Sequence, residues 1–289
     1  MTLLTAFIRS NNLMQELVIA SDSRLSGNGQ RMDHVQKVFT LPRSDCLLAY
    51  AGDTQYAYPL LTQLLLSIDS FPQSRERRLP LGHMQAHILR VFQQSFDAIH
   101  GLPVGQTKPE APDNYFLFGG YDWETNSFRV WKTEFNESAG RFVYSRSVTT
   151  GRRQYVFVGD DRAAIKEAYR QMVEMVRPKK ISTATLDMEP FEVLSRICAD
   201  TTYDTIGGIP QFGKVYRHLN SQLFMVQEQY QDYGRIAHIA GRPLINGERN
   251  DYPTYTPEVG FFARDNKEYY ERVPLGDAAD VSPADSADA

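Results

Sequence analysis

Cysteine is scarce in this chain of 289 residues, which has only Cys46 and Cys198, far apart. A fold held by disulfides needs more, so a hydrophobic core and a reducing compartment are expected. Long apolar runs are missing too. Nothing approaches the ~20 apolar residues that cross a bilayer as a helix. The opening residues MTLLTAFIRSNN lack the basic segment and longer apolar stretch of a secretion signal. A soluble, cytoplasmic protein with no membrane partner is therefore expected, and the sequon Asn136-Glu137-Ser138 carries little meaning. Charge of one sign is also lacking. The net charge is -4, and Arg152-Arg153 and Lys179-Lys180 are short pairs rather than a basic tract, which argues against nucleic acid.

Cofactor signatures are equally thin. No Lys-Ser/Thr follows Gly119-Gly120 or Gly207-Gly208, so neither pair forms a phosphate loop. His83 and His87 share a helical face at i, i+4 spacing, but no Glu stands beside His83 and no third ligand is evident, so a polar helix face is preferred to a metal site. Cys46 lies inside an apolar strand and reads as a small buried hydrophobe, not as a thiol nucleophile served by His34. No cofactor and no metal are expected.

What is present is a regular alternation of element types, and 42% hydrophobic residues suffice for a core. Residues 2–8 and 16–20 read as a strand hairpin, followed by a loop with Gly27 and Gly29 and strands at 34–41 and 46–51. Helical periodicity follows at 53–68, with Pro59 as a kink or a delayed start, and at 83–99. Strands are predicted at 115–120, 127–132, 141–147 and 155–158. Helices follow at 161–176, capped by Asp160 or Asp161, and at 188–200, opened by Glu189-Pro190. Strand character returns at 212–226. Strands alternating with helix pairs predict an α+β fold of two stacked antiparallel sheets with helices outside them, a four-layer α-β-β-α sandwich. The main domain is assigned to 2–229 and a tyrosine-rich extension to 230–275. Tyr230, Tyr233, Tyr252, Tyr255, Tyr269 and Tyr270 suit either a subunit contact or a cover over the core. Residues 276–289 form an acidic tail expected to be disordered.

Four features carry chemistry. Removing Met1 would leave Thr2 with a free α-amine, which titrates near pH 8 and can take the hydroxyl proton. Asp22 and Arg24 end the second strand. Lys37 follows, and its positive charge beside a threonine hydroxyl favours the alkoxide. A lysine buried there needs a partner, which Asp22 supplies. Gly52, before the first long helix, is placed to turn a backbone N–H toward a developing oxyanion. Each feature alone has an ordinary explanation as a common second residue, a strand-end ion pair or a turn glycine.

Taken in order, LVIASDSRLSG, Lys37-Val38 and AGDTQYA after an initial Thr resemble the β-subunits of the proteasome and of the bacterial two-tier ATP-dependent threonine peptidase. The bacterial ancestral-β-subunit-type homologues look most similar in style. The resemblance covers about residues 2–226, with its specific part in 2–60. It implies Thr2 as nucleophile and its amine as base, with Asp22 and Lys37 tuning the site, Arg24 supporting it and Gly52 donating to the oxyanion. It places Ser26 and Thr54 against substrate backbone, and Leu25 and Tyr50 near the first specificity pocket. Two departures stand out. Asp160 replaces a serine after the strand ending at 158. Asp204 keeps its carboxylate, but Gly207 replaces the later serine. The hairpin between Thr2 and Asp22 is also longer than usual. Thr5 would align without that insertion but would need proteolysis to become terminal.

The expectation is an N-terminal threonine hydrolase that cleaves a peptide, an unfolded protein or another amide. The resemblance implies a homo-oligomeric ring or spiral, with an ATP-dependent unfoldase as a possible partner. A catalytically silent scaffold or binding subunit is the alternative, and an unrelated α+β binding module is a third reading.

Overall fold

The computed structural model describes residues 1–10, 14–27, 29–149, 154–178, 185–230, 234–245, 247–257 and 259–262. Arg152, Arg153, Lys179, Lys180, Tyr233, Tyr269, Tyr270 and the tail 276–289 lie outside the described residues.

Two sheets dominate, with antiparallel neighbours throughout except for one pair. In the larger sheet, β1 (Leu3–Ser10) lies between β10 (Tyr155–Gly159) and β2 (Gln15–Ser21). Beyond β2 come β11 (Gln211–Tyr216), β12 (Asn220–Tyr230), β13 (Gly234–Ile239) and β14 (Arg242–Pro243). A branch adds β15 (Thr254–Thr256), parallel to β12, and β16 (Gly260–Phe262). The second sheet runs β5 (Val38–Leu41), β6 (Arg43–Gly52), β7 (Asn114–Asp122), β8 (Ser127–Asn136) and β9 (Arg141–Thr149). A separate hairpin joins β3 (Leu25–Gly27) to β4 (Gln30–Met32).

Successive side chains of β1 point to opposite faces, and its nearly continuous apolar run Leu3–Ile8 lets both faces be buried. Leu3 and Phe7 join Val18, Phe157 and Phe212 against helices α4 (Arg162–Val176) and α5 (Glu189–Ala199), through Met172, Phe191 and Leu194. Leu4, Ala6 and Ile8 face the other way and meet Leu47, Ala49, Leu117 and Val130 of the second sheet. That sheet turns Leu48, Phe116 and Phe118 toward α1 (Thr54–Ser70) and α3 (Leu81–Asp97), where Leu64, Ile88 and Phe92 receive them. The result is a mixed α+β molecule with apolar contacts on both faces of both sheets.

Several boundaries differ from the sequence reading for identifiable reasons. Helix α1 is continuous across Pro59 and starts before it, with Asp53 as N-cap accepting from the Gln55 N–H at 2.8 Å. Asp161 rather than Asp160 caps α4, accepting from Ala163 and Ala164, and this leaves the Asp160 carboxylate free for the site. A short helix, α2 (Pro72–Arg75), precedes α3. The predicted strand at 212–226 is a hairpin whose turn has Leu219 at φ 61, so no glycine or proline marks it. The boundary placed at 229/230 falls inside β12, and β13 to β16 continue the same sheet.

Candidate active site

Thr2 immediately precedes β1 and is 4% exposed. Its neighbour Lys37 lies just before β5 in the other sheet and is 1% exposed, while Asp22 follows β2 and is 0% exposed. Lys37 Nζ donates to Thr2 Oγ1 at 2.7 Å, to both Asp22 carboxylate oxygens at 3.0 Å and to the Arg24 carbonyl at 2.5 Å. An ammonium has three N–H donors, and here they serve a hydroxyl, a carboxylate and a carbonyl. With three acceptors around its Nζ, Lys37 is placed to donate to Thr2 Oγ1. It can stabilise negative charge on Thr2 Oγ1.

Asp22 is held on every side. Beyond Lys37 it accepts from the backbone N–H groups of Leu3 at 3.2 Å, Arg24 at 3.2 Å and Gly207 at 3.4 Å, and from the Ser21 hydroxyl at 3.4 Å. Burial pushes its carboxyl pKa above the usual range, and the Lys37 charge is the largest influence opposing that rise. Five donors aimed at its two oxygens mark it as the anion of a buried pair.

The nitrogen of Thr2 has its own carboxylate. The Thr2 N–H donates to Asp160 Oδ1 at 2.5 Å. The Met1 nitrogen lies 3.8 Å from Asp160 Oδ2 and donates to Ser26 Oγ at 3.3 Å. Met1 thus sits over Thr2 with Asp160 and Ser26 at its amine. Gly159 permits the approach of β1, since a Cβ there would stand 2.1 Å from the Thr2 carbonyl oxygen.

Arg24 joins the cluster through its backbone. Its guanidinium instead forms two bonds to Asp33, at 2.6 and 2.8 Å, and a third to the Asp204 carbonyl at 2.8 Å. That contact draws the Asp33 carboxyl below its usual pKa. The guanidinium also occupies the space beside Gly207, where a Cβ would meet Arg24 Cζ at 2.6 Å. Asp204 points its carboxylate elsewhere, to Arg31, and is more than half exposed. Only its carbonyl contacts the Arg24 network.

Gly52 ends β6 at φ 99, and a Cβ there would lie 1.9 Å from the Asp113 carbonyl oxygen. Only glycine tolerates both conditions. Asn114 fixes the peptides on either side, donating to the Ala51 carbonyl at 3.3 Å and the Asp53 carbonyl at 2.8 Å. Thr54, the first residue of α1, and Leu25 and Ser26 on β3 are half-buried. Tyr50 is fully buried between Phe39, at 6.3 Å between ring centroids, and Tyr58, at 5.5 Å. Burial raises its phenol pKa strongly.

Three supports were invisible in the sequence. Gln211 clamps the backbone around Lys37 and Asp22. Asn114 frames Gly52. Gly241, in the turn between β13 and β14, abuts the back of the site, since a Cβ there would stand 2.2 Å from Ser23 Oγ. All three are lone polar or turn residues without a pattern around them. Thr5, the alternative terminal residue, is buried within β1 and donates to the Val156 carbonyl at 3.1 Å. Cys46 is buried, and burial raises its thiol pKa well above the ordinary value. His87 bonds Ser67 Oγ at 2.8 Å. Among the described residues no group of three or more metal-ligating side chains occurs, and no helix is long and apolar enough to cross a membrane. No family model matches the chain, and no curated protein matches it.

Proposed function

We propose that the chain is an N-terminal threonine hydrolase of the proteasome β-subunit type, acting on peptide or other amide bonds. The contact of Lys37 Nζ with Thr2 Oγ1 at 2.7 Å, inside a buried Asp22 pair, carries this reading. A saturated ammonium against a hydroxyl suits alkoxide stabilisation better than structural support. The two sheets between α1–α3 and α4–α5 are read as the α-β-β-α sandwich of that class. Cleavage of the Met1–Thr2 bond frees the amine. Thr2 Oγ1 then attacks the substrate carbonyl carbon while its proton passes to that amine. The Gly52 N–H receives the oxyanion. The C–N bond breaks, the departing amine takes the proton, and an acyl ester remains on Thr2. Water hydrolyses the ester by the same proton route in reverse.

Ser26 and Thr54 are assigned to substrate backbone, and Leu25 and Tyr50 to the neighbouring side-chain pocket. Assembly into a homo-oligomeric ring or spiral, and delivery of unfolded substrate by an ATP-dependent partner, belong to the same proposal. Hydrolysis of a fluorogenic peptide library by chain lacking Met1 tests it. Thr2→Ala is expected to lower kcat/KM by about 10⁴-fold or more, the scale seen when a nucleophile is removed. Turnover unchanged in Thr2→Ala would refute Thr2 as the nucleophile, whereas no turnover by the wild-type chain lacking Met1 would favour a scaffold.

A further inference from the structure

We infer that Gln211 is the positioning residue that sets Lys37 against Asp22 and Thr2, an assignment that rests on the hydrolase reading. Gln211 opens β11 and is buried. Its Oε1 accepts from the N–H groups of Lys37 at 2.9 Å and Val38 at 3.2 Å. Its Nε2 donates to the carbonyls of Asp22 at 3.2 Å and Val35 at 2.7 Å. One side chain therefore satisfies four backbone groups with both lone pairs and both hydrogens, the full capacity of an amide. The orientation is unambiguous, because a flipped amide would set donors against donors and acceptors against acceptors.

The placement matters more than the count. Asp22 follows β2 of the larger sheet, whereas Lys37 precedes β5 of the other sheet. Lys37 Nζ reaches Thr2 only if these two backbones hold a fixed separation. Gln211 spans that seam, with backbone bonds from Val35 N–H to the Ser23 carbonyl at 3.0 Å and from Tyr50 N–H to the Lys37 carbonyl at 3.2 Å alongside it. Those bonds fix the segment before Lys37 and its carbonyl. Among the described residues, Gln211 bonds the backbone of both, accepting from the Lys37 N–H and donating to the Asp22 carbonyl. A residue that touches neither nucleophile nor substrate thereby determines the distance on which alkoxide stabilisation depends.

The test compares Gln211→Met, close in volume and without the four bonds, with Thr256→Val, which removes the buried bond to Gln227 in the C-terminal segment. The rate of Thr2 acylation by a β-lactone is read across pH, together with amide exchange at Lys37 and Val38. Displacement of about 1 Å can lower a rate about 100-fold. Gln211→Met is expected to acylate 10- to 100-fold more slowly on that scale, with a displaced pH profile and unprotected Lys37 and Val38 amides. Thr256→Val should lose stability and keep both rate and profile. If Gln211→Met does not fold, Gln211→Glu serves instead. It keeps both acceptor contacts but sets a carboxylate oxygen against the Asp22 and Val35 carbonyls, and should likewise acylate more slowly than wild type. A wild-type rate and profile in the folded Gln211 variant would overturn the assignment. Wild-type chain with a free Thr2 amine that never acylates would overturn the hydrolase reading, while the exchange data would still judge whether Gln211 holds the Lys37 segment.

Discussion

The nitrogen of Thr2 stands 2.5 Å from Oδ1 of Asp160. This places a carboxylate on the atom that the proposed mechanism uses as base once the Met1–Thr2 bond is cut. An anion at that distance favours an amine's protonated form over its neutral one, so under the proposed mechanism the freed Thr2 amine would need a higher pH, above its own pKa, to accept a proton. Activity should therefore climb as pH rises through that pKa. Asp160→Asn removes the anion and should move this acidic limb of the kcat/KM profile downward by about one pH unit. A limb that stays in place would mean that the amine is not the titrating base.

The space beside Gly207 belongs to Arg24. A Cβ at 207 would press on the guanidinium that grips Asp33. Placing a serine there by Gly207→Ser should thus destabilise by about 1–3 kcal/mol, the usual cost of overpacking. Arg24→Ala in the same chain should relieve much of that loss. Urea denaturation of the two single variants and the double variant measures the coupling, and strict additivity would contradict the steric account.

How much was legible depended on whether a residue carried a pattern. Thr2, Asp22 and Lys37 were readable because each adjoins a strand whose short apolar run fixes its place, and the two sheets then bring the three together. Asp204 was expected at the site on the strength of its motif alone. Its carboxylate instead pairs with Arg31 at the surface, a partner that no local spacing could reveal. Gln211 and Asn114 act through backbone groups remote in sequence, and such contacts leave no periodic trace. The extension strands β13 to β16 were missed as sheet members because they are short and rich in polar residues.

A second buried lysine makes a different prediction. Lys214 pairs with Glu16 at 2.8 Å and lies 3.2 Å from the ring centroid of Phe261, which Arg9 also covers at 4.6 Å. Burial is the main cause of its pKa being lowered to about 8. A lysine depressed in the folded state binds fewer protons there than in the unfolded chain between about pH 8 and its ordinary value of 10.5. Stability from this group therefore rises with pH across that window, by up to about 3 kcal/mol at 1.36 kcal/mol per unit. Urea midpoints should show this rise in wild type and a flatter course in Lys214→Met. Equal slopes would show that Lys214 does not titrate there.

The central claim is that Thr2 is a nucleophile activated by Lys37. The most direct measurement is intact mass before and after treatment with a β-lactone, whose ring opens onto the attacking oxygen and adds the whole probe mass. Chain lacking Met1 should gain one probe mass, mapped to Thr2, and Lys37→Met should lose that adduct. An adduct on any other residue, or equal labelling of Thr2 without Lys37, would contradict the account.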